Sequence, residues 1–420
     1  MKITFTQFNQ YLRLAIRALK ANLVRSLLTT LGIVIGIMTV IVVFSLGRAT
    51  ERVIEGELEG YGANLVIVEV KVPGFSDNNP AAATAMVEGI TITTLKEDDM
   101  EAALDIPGVI DAYAGVIGLE RAVSIYDDQQ YMIQATSASF IDIDQSQVEF
   151  GRYFTEAEDQ SLSRVAVLGY SAAQELFPDV DPLGQTIRIR NVNFKVIGVM
   201  KEMGVVFFQD MDDQIYLPVN TMQKLIMGVD YLPYFVVQVE NEEIAPLVKA
   251  DIVEMLDYRH NINGEDKRDF RVTTMEEAMD MMAVITDTLG ILLLVLAAIS
   301  LVVGGVGVMN VMFVVVSERT REIGLRKAVG ASQKAILLQF LFESIVVTAA
   351  GGIIGVIAGL GFVYLAILVA QFGGIEVEFS IPIEGVVIAV SAAILEGILF
   401  GLYPAQKAAK LNPIESLRFE

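Results

Sequence analysis

The chain has no cysteine and a single histidine, His260, in 420 residues. The first absence excludes disulfides, thiolate metal sites and cysteine nucleophiles. The second excludes an HExxH zinc site and argues against a histidine-based triad. His260 follows Arg259 in a polar stretch and reads as a surface or partly buried side chain. No GxxxxGK[ST] loop occurs, and no GxGxxG opens a helix after a strand. The sequence therefore offers no nucleotide, cofactor, metal or catalytic site of its own. With 52 acids, close carboxylate pairs arise by chance, and a solvated acidic surface is their plain reading.

Basic residues are scarce in the middle of the chain. Residues 1–47 carry five bases and no acid, 48–285 carry 42 acids and 17 bases, and 286–420 carry ten acids and eight bases. The net charge of −22 thus belongs to one central block. The chain is 53% hydrophobic, too apolar for an ordinary soluble protein. Four long apolar runs lie at 27–47, 286–316, 335–370 and 383–403. The first is uncharged and long enough to cross ~30 Å of hydrocarbon. A signal peptide would have a shorter apolar core and a small-residue cleavage site, so 27–47 reads as a retained span. Residues 286–316 would make a helix of ~46 Å, so one end should project from the membrane.

Positive charge sets the orientation. The N-terminal segment, the 317–334 loop and the 404–420 tail are basic, and the short 371–382 loop is not. Both termini and the 317–334 loop are therefore expected in the cytoplasm, and the acidic block 48–285 outside it. Residues 1–26 place Phe5, Phe8, Leu12, Ile16 and Leu19 on one helical face and bases largely elsewhere. This suits a helix lying in the membrane interface, with a packed soluble helix as the alternative. Gly32 and Gly36 allow close helix approach, either to a second copy or within the chain. Gly351, Gly352 and Gly355 do the same in the third run.

The outer block reads as an α+β domain. Strands are expected at 64–70, 109–119, 123–126, 130–135, 164–169, 186–190, 194–200, 214–217, 235–240 and 270–273. Helices are expected at 94–105, 171–177, 221–227 and 243–258. Residues 73–85 read as a loop. Breaks near Thr136 and Tyr231 suggest an inserted part, 137–230, within a domain made of 48–136 and 231–280. Both joins to the membrane, around 48–61 and 274–285, keep helical patterning through Val53, Ile54 and Leu58 and through Met275, Met279 and Met282. They are either rigid stalks or ordinary juxtamembrane helices. Two intramembrane acids, Glu343 and Glu396, are costly enough to need a role. Hydrogen bonding between helices and an ion or proton relay are the two readings.

The stretch SERTREIGLRKAVGAS at 317–332 concentrates charge beside two membrane runs. With LGRATERVIEGELEGYGANLVIV, VEFGRYFTEAEDQSLSRVAVLGYSAAQELFPDVDPLGQTIRIRNVNFKVIGV and GLYPAQKAAKLNPIESLRFE it resembles the MacB-type permeases within the FtsX-like permease group, over essentially the whole chain. The resemblance implies a four-helix membrane protein with a large α+β extracytoplasmic domain inserted between helices 1 and 2. It implies a permease subunit of an ABC transporter in the cytoplasmic (inner) membrane, working as a dimer by mechanotransmission. ATP and Mg would be bound by a soluble ATPase partner, expected as a separate chain because residue 1 begins almost at the interfacial helix. A membrane-fusion adaptor and an outer-membrane channel are further partners of such systems; nucleic acid is not. Cargo would be amphiphiles such as drugs, peptides or lipids. The same architecture serves regulators of cell-wall hydrolases and lipoprotein-releasing permeases. The 317–332 stretch matches the coupling helix that docks on the ATPase, with Glu318, Arg319, Arg321, Glu322, Gly324, Arg326, Lys327 and Gly330 at its positions.

Overall fold

The computed structural model describes residues 23–61, 64–73, 91–144, 146–206, 209–372 and 379–418. The N-terminal interfacial helix (up to residue 22), most of the 73–85 loop and the centre of the 371–382 loop lie outside them, as do the side chains of Val53, Ile54 and Leu58. The chain forms two compact units, one of 1–52, 283–373 and 377–420 and one of 53–282 with 374–376.

The first unit is helical. Helix α1 spans Leu23–Tyr61. Among the described residues, four helices are long and apolar enough to cross a membrane, with spans at Leu31–Thr50, Met275–Glu318, Gln333–Gln371 and Ile383–Lys410. The second, third and fourth exceed their apolar runs, 286–316, 335–370 and 383–403. The fourth continues through Pro404, well past 403.

The second unit is built on a ten-stranded mixed sheet. In chain order its strands are β1 (Leu65–Val70), β2 (Val109–Val123), β3 (Asp128–Thr136), β4 (Val148–Gly151), β5 (Val165–Leu168), β6 (Thr186–Ile189) and β7 (Val192–Met200). A separate ribbon pairs β8 (Val205–Val206) with β9 (Gln209–Asp210), and β10 (Gln214–Pro218), β11 (Tyr234–Val239) and β12 (Phe270–Thr274) complete the set. The main path runs β12-β1-β11-β2-β3-β10-β5-β7-β4. Strands from 137–230 occupy one end and flanking strands the other. They meet at the parallel β3–β10 pair, where Ile133 faces Ile215, and again where β6 pairs with β2. Alternation along the strands puts Val66, Val68, Ala112, Ala114, Ile133, Phe235 and Val237 into the main core.

The expected strand 109–119 runs on to Val123, and most of the separately expected strand 123–126 is the turn that follows it. The charges at 120 and 121 read as a break, but each finds a partner: Arg121 Nη2 donates to Asp128 at 2.8 Å and Arg190 Nε to Glu120 at 2.9 Å. Such cross-strand pairs let a charged residue stay in the ladder. The hairpin turn at Asp127 is made by Ser124, whose N donates to Asp127 O at 2.9 Å. β4 and the short helices α3 (Phe140–Ile143) and α4 (Glu156–Gln160) were not legible in the pattern; α2 (Glu97–Leu104) and α5 (Tyr170–Leu176) were. Helix α6 opens at Val219–Thr221 and continues as a π-helix, Met222–Met227, where an ordinary α-helix was expected. Helix α7 spans Ala245–Arg259.

Helix α8, Met275–Glu318, starts with a capping pair. Glu277 N donates to Thr274 Oγ1 and Thr274 N to Glu277 Oε2, both at 3.2 Å. Met275 and Met279 pack into the second core cluster of the outer unit, with Leu65, Tyr113 and Tyr216. The start of α8 is therefore fixed to its own domain by a cap and by burial. The boundary between the two units falls inside α1 and inside α8.

In the membrane unit, small residues set the packing. A Cβ on Gly32 would lie 2.9 Å from the Cα of Gly304 in α8, and one on Gly36 2.8 Å from Leu301 Cγ. The Gly32–Gly36 face is thus occupied by another helix of the same chain. On helix α10, Gln333–Phe372, Gly351 faces Ile33 and Gly355 faces Ile37, while Gly352 meets Ala393 of helix α11, Ile383–Lys410. These contacts predict opposite signs for two substitutions. Gly32→Leu forces a side chain against backbone and should lower stability by about 2–3 kcal/mol. Gly361 has nothing within 4 Å of its would-be Cβ. There Gly361→Ala should raise stability by about 0.5–1 kcal/mol through helix propensity. Melting temperatures in detergent read both.

Candidate functional site

Helix α8 breaks at Arg319 (φ −100, ψ 10), and helix α9 follows at Thr320–Ala328. Two hydroxyls bond back to carbonyls beside the break: Ser317 Oγ donates to Phe313 O at 3.0 Å and Thr320 Oγ1 to Val316 O at 3.0 Å, contacts of a kind that bend helices. Gly330 then takes φ +105, a conformation that favours glycine, and turns the chain into α10. Its role in the motif is conformational.

The charged residues of this stretch divide into two groups. One group points inward. Arg319 Nη1 donates to Glu343 Oε1 at 3.2 Å and Oε2 at 3.3 Å on α10, and the Glu343 side chain is only 5% exposed. Arg326 Nη1 donates to Gln339 Oε1 at 2.6 Å, and its Nη2 to Glu322 Oε1 at 2.5 Å. Lys327 Nζ donates to the carbonyls of Ala409 (2.8 Å) and Leu411 (2.5 Å), closing the C-terminal end of α11 where a cation is favoured. Gly324 lies under helix α12, Pro413–Arg418: an added Cβ would sit 2.6 Å from Ser416 Cβ. Ile323 is buried with Ile336 and Phe340. Arg319, Arg326, Lys327 and Gly324 therefore latch α9 onto α10, α11 and α12.

The other group faces outward. Glu318, Arg321, Leu325 and Val329 are exposed, Leu325 by 58% and Val329 by 84%. Two large apolar side chains beside an arginine form a ready contact surface, and the short helix carries them on a rigid base. The motif residues named from sequence thus lie together, but only part of them can meet a partner. Arg319 and Arg326 belong to the latch; charge reversal there would disturb the fold of the loop as well as any docking.

The two intramembrane acids also separate. Glu343 is held by Arg319, a charge pair from the loop in place of the expected hydrogen bond between spans. Glu396 is 5% exposed, and neither carboxyl oxygen has a hydrogen-bond partner among the described residues. The expected hydrogen bond between helices is therefore not made there. Beside it on α11, Gly397 and Gly401 close on α10, where Ser344 Oγ donates to Gly397 O at 3.0 Å.

In the outer unit the lone histidine is a buried hub. His260 Nδ1 lies 2.9 Å from Asp269 and Nε2 3.3 Å from Asp99, and Arg259 Nε donates to Asp99 at 2.6 Å. Hydrogen bonds that its ring donates to Asp269 and then Asp99 raise its pKa to about 9, against the opposing effect of burial. Burial pushes Asp99 up, yet the bonds from His260, Arg259 and the Lys96 backbone hold it below the usual value. Nothing in the sequence near 260 names these partners, which lie 161 and nine residues away. Burial also raises Asp144 and Asp159 to about 6. Among the described residues no cluster of His, Asp or Glu is arranged to hold a metal ion.

Two family models match. The MacB-like periplasmic core domain covers residues 26–255, and the FtsX-like permease C-terminal domain covers 294–413. The macrolide export ATP-binding/permease protein MacB of Bdellovibrio bacteriovorus is 36% identical over 98% of this chain and 62% of its own length. Its counterpart in Chlorobaculum tepidum is 38% identical over 97% and 61%. The chain spans about three fifths of the length of these curated relatives. Among solved structures, the periplasmic region of MacB from Actinobacillus actinomycetemcomitans aligns over 55% of this chain and 97% of that one, with a TM-score of 0.45 and 19% identity.

Proposed function

Given that the chain belongs to the MacB-like family of FtsX-like permeases, we propose that it is the membrane-spanning half of an ABC transporter whose ATPase docks on the outward face of α9. The observation that carries this reading is the division of the loop: a latched inner face and an exposed Arg321–Leu325–Val329 face. ATP hydrolysis would then reach the outer domain through α1 and α8, the two helices within which the units join. The sequence holds no phosphate loop, so the nucleotide site belongs to a domain outside these 420 residues.

On this reading α9, both termini and the tail face the cytoplasm, and the acidic sheet domain works outside the cytoplasmic membrane. Large apolar side chains remain exposed on α8, including Leu292, Val295, Leu296, Val302 and Val303. They suit lipid on one side and a second copy of the chain on the other. The cargo class is amphiphilic: drugs, peptides or lipids handled from the outer side, with an adaptor and an outer-membrane channel as further partners.

The docking face is tested by Leu325→Asp with Val329→Asp in the full chain, co-expressed with its ATPase. Both positions are exposed, so the variant should keep its melting temperature. The expected result is loss of ATPase co-purification by tenfold or more, as when two anchor residues at the centre of an interface are removed. Undiminished co-purification would remove α9 as the docking element.

A further inference from the structure

Between α1 and α10, at the end of the membrane run of α1, lies a cleft enclosing about 230 Å³. Its walls are apolar: Val42 and Ala49 from α1, and Phe362, Ala366 and Ala370 from α10. Its mouth is cationic. Arg48 and Arg52 both line it, and among the described residues no acid does. Their positions are set by neighbours in the same unit. Arg48 Nη1 donates to Ile381 O at 3.2 Å and Arg52 Nη2 to Ser380 Oγ at 3.4 Å. The carboxylate beside Arg48 is Glu384, 3.9 Å away with its side chain 77% exposed. An ion pair that long and that wet leaves most of the arginine's charge to act on a better-placed anion. Inside the cleft, Ser45 Oγ is buried and has no hydrogen-bond partner among the described residues.

An apolar slot in a bilayer gains little by excluding lipid tails, because tails are as apolar as the slot. Preference must come from the polar end. Two guanidiniums fix that end as an anion, and planar guanidinium groups match phosphate oxygens closely. The buried hydroxyl of Ser45 can donate to an ester carbonyl just below the headgroup. We infer that this cleft is a binding site for an anionic phospholipid, with one acyl chain between α1 and α10 and its phosphate on Arg48 and Arg52. The site is separate from the docking face on α9 and stands whether or not the proposed transport reading holds. Such a lipid would fill the gap between α1 and α10 and tie together the ends of both helices.

The test uses the full chain in mild detergent, with phosphatidylglycerol or phosphatidylcholine of the same acyl chains added, and native mass spectrometry of what stays bound. The wild type should retain one phosphatidylglycerol per chain, at least tenfold more than phosphatidylcholine. Arg48→Gln with Arg52→Gln should erase that preference. Ala366→Phe should fill the slot and reduce retention of both lipids. Ile357→Phe on another exposed part of α10 should leave retention as in wild type. Equal retention of the two lipids by the wild type, no retained lipid at all, a preference that survives Arg48→Gln with Arg52→Gln, or retention untouched by Ala366→Phe would each overturn the assignment. The wild-type comparison decides the headgroup claim even if a variant fails to fold.

Discussion

Arg319→Ala should destabilise the membrane unit by about 3–5 kcal/mol, the usual cost of removing one partner from a buried charge pair. The reason is Glu343. Its side chain is 5% exposed, and Arg319 contacts both of its oxygens. Without the guanidinium, a carboxylate stays buried beside a membrane span with little to offset its desolvation. The loss comes from the orphaned acid more than from the missing attraction. The double variant Arg319→Met with Glu343→Met should therefore recover most of the loss, because it removes both charges and keeps the volume. Thermal melts in detergent measure all three proteins. A double variant as unstable as Arg319→Ala would show that the arginine acts through contacts other than Glu343.

His260→Ala should cost the outer unit about 3 kcal/mol, the low end for a buried pair because Arg259 still serves Asp99. Its pH dependence is specific. The folded pKa of about 9 lies above the 6.5 of an ordinary histidine. A raised folded pKa means that the native state holds the proton more tightly than the unfolded chain. The stabilisation is complete below about pH 6.5 and is lost as pH rises through about 9. Wild type should melt at a lower temperature at pH 9.5 than at pH 6, and His260→Ala should lack that part of the difference. Circular dichroism melts at the two values give the comparison. An identical pH response in both proteins would mean that His260 is not held as a cation.

The membrane spans were legible because charge is nearly absent from four runs, and nothing else in a sequence looks like that. Most strands were legible from their branched and aromatic runs, as in β1 and β11, whose alternate side chains enter two different core clusters. β2 was misread at Glu120 and Arg121, since their partners Arg190 and Asp128 are set by sheet pairing. The candidate site was half legible. Sequence located the basic loop and matched its motif, but its charges look alike in one dimension. Arg319 and Glu343 are 24 residues apart, and Lys327 reaches carbonyls 82 and 84 residues away. Only tertiary structure separates the residues that hold α9 from those it displays. The same holds for His260 and for the cleft mouth, where Arg48 and Arg52 read as ordinary juxtamembrane charges.

On the proposed reading, α9 docks with its exposed face while Arg319, paired with Glu343, keeps it in place. ATPase retention and melting temperature, measured on the same preparations of two variants, test it most directly. Leu325→Asp with Val329→Asp should lose the ATPase and melt like wild type. Arg319→Met with Glu343→Met should keep the ATPase and melt near wild type. Loss of the ATPase from the second variant at an unchanged melting temperature, with retention by the first, would place docking on Arg319 and contradict the account.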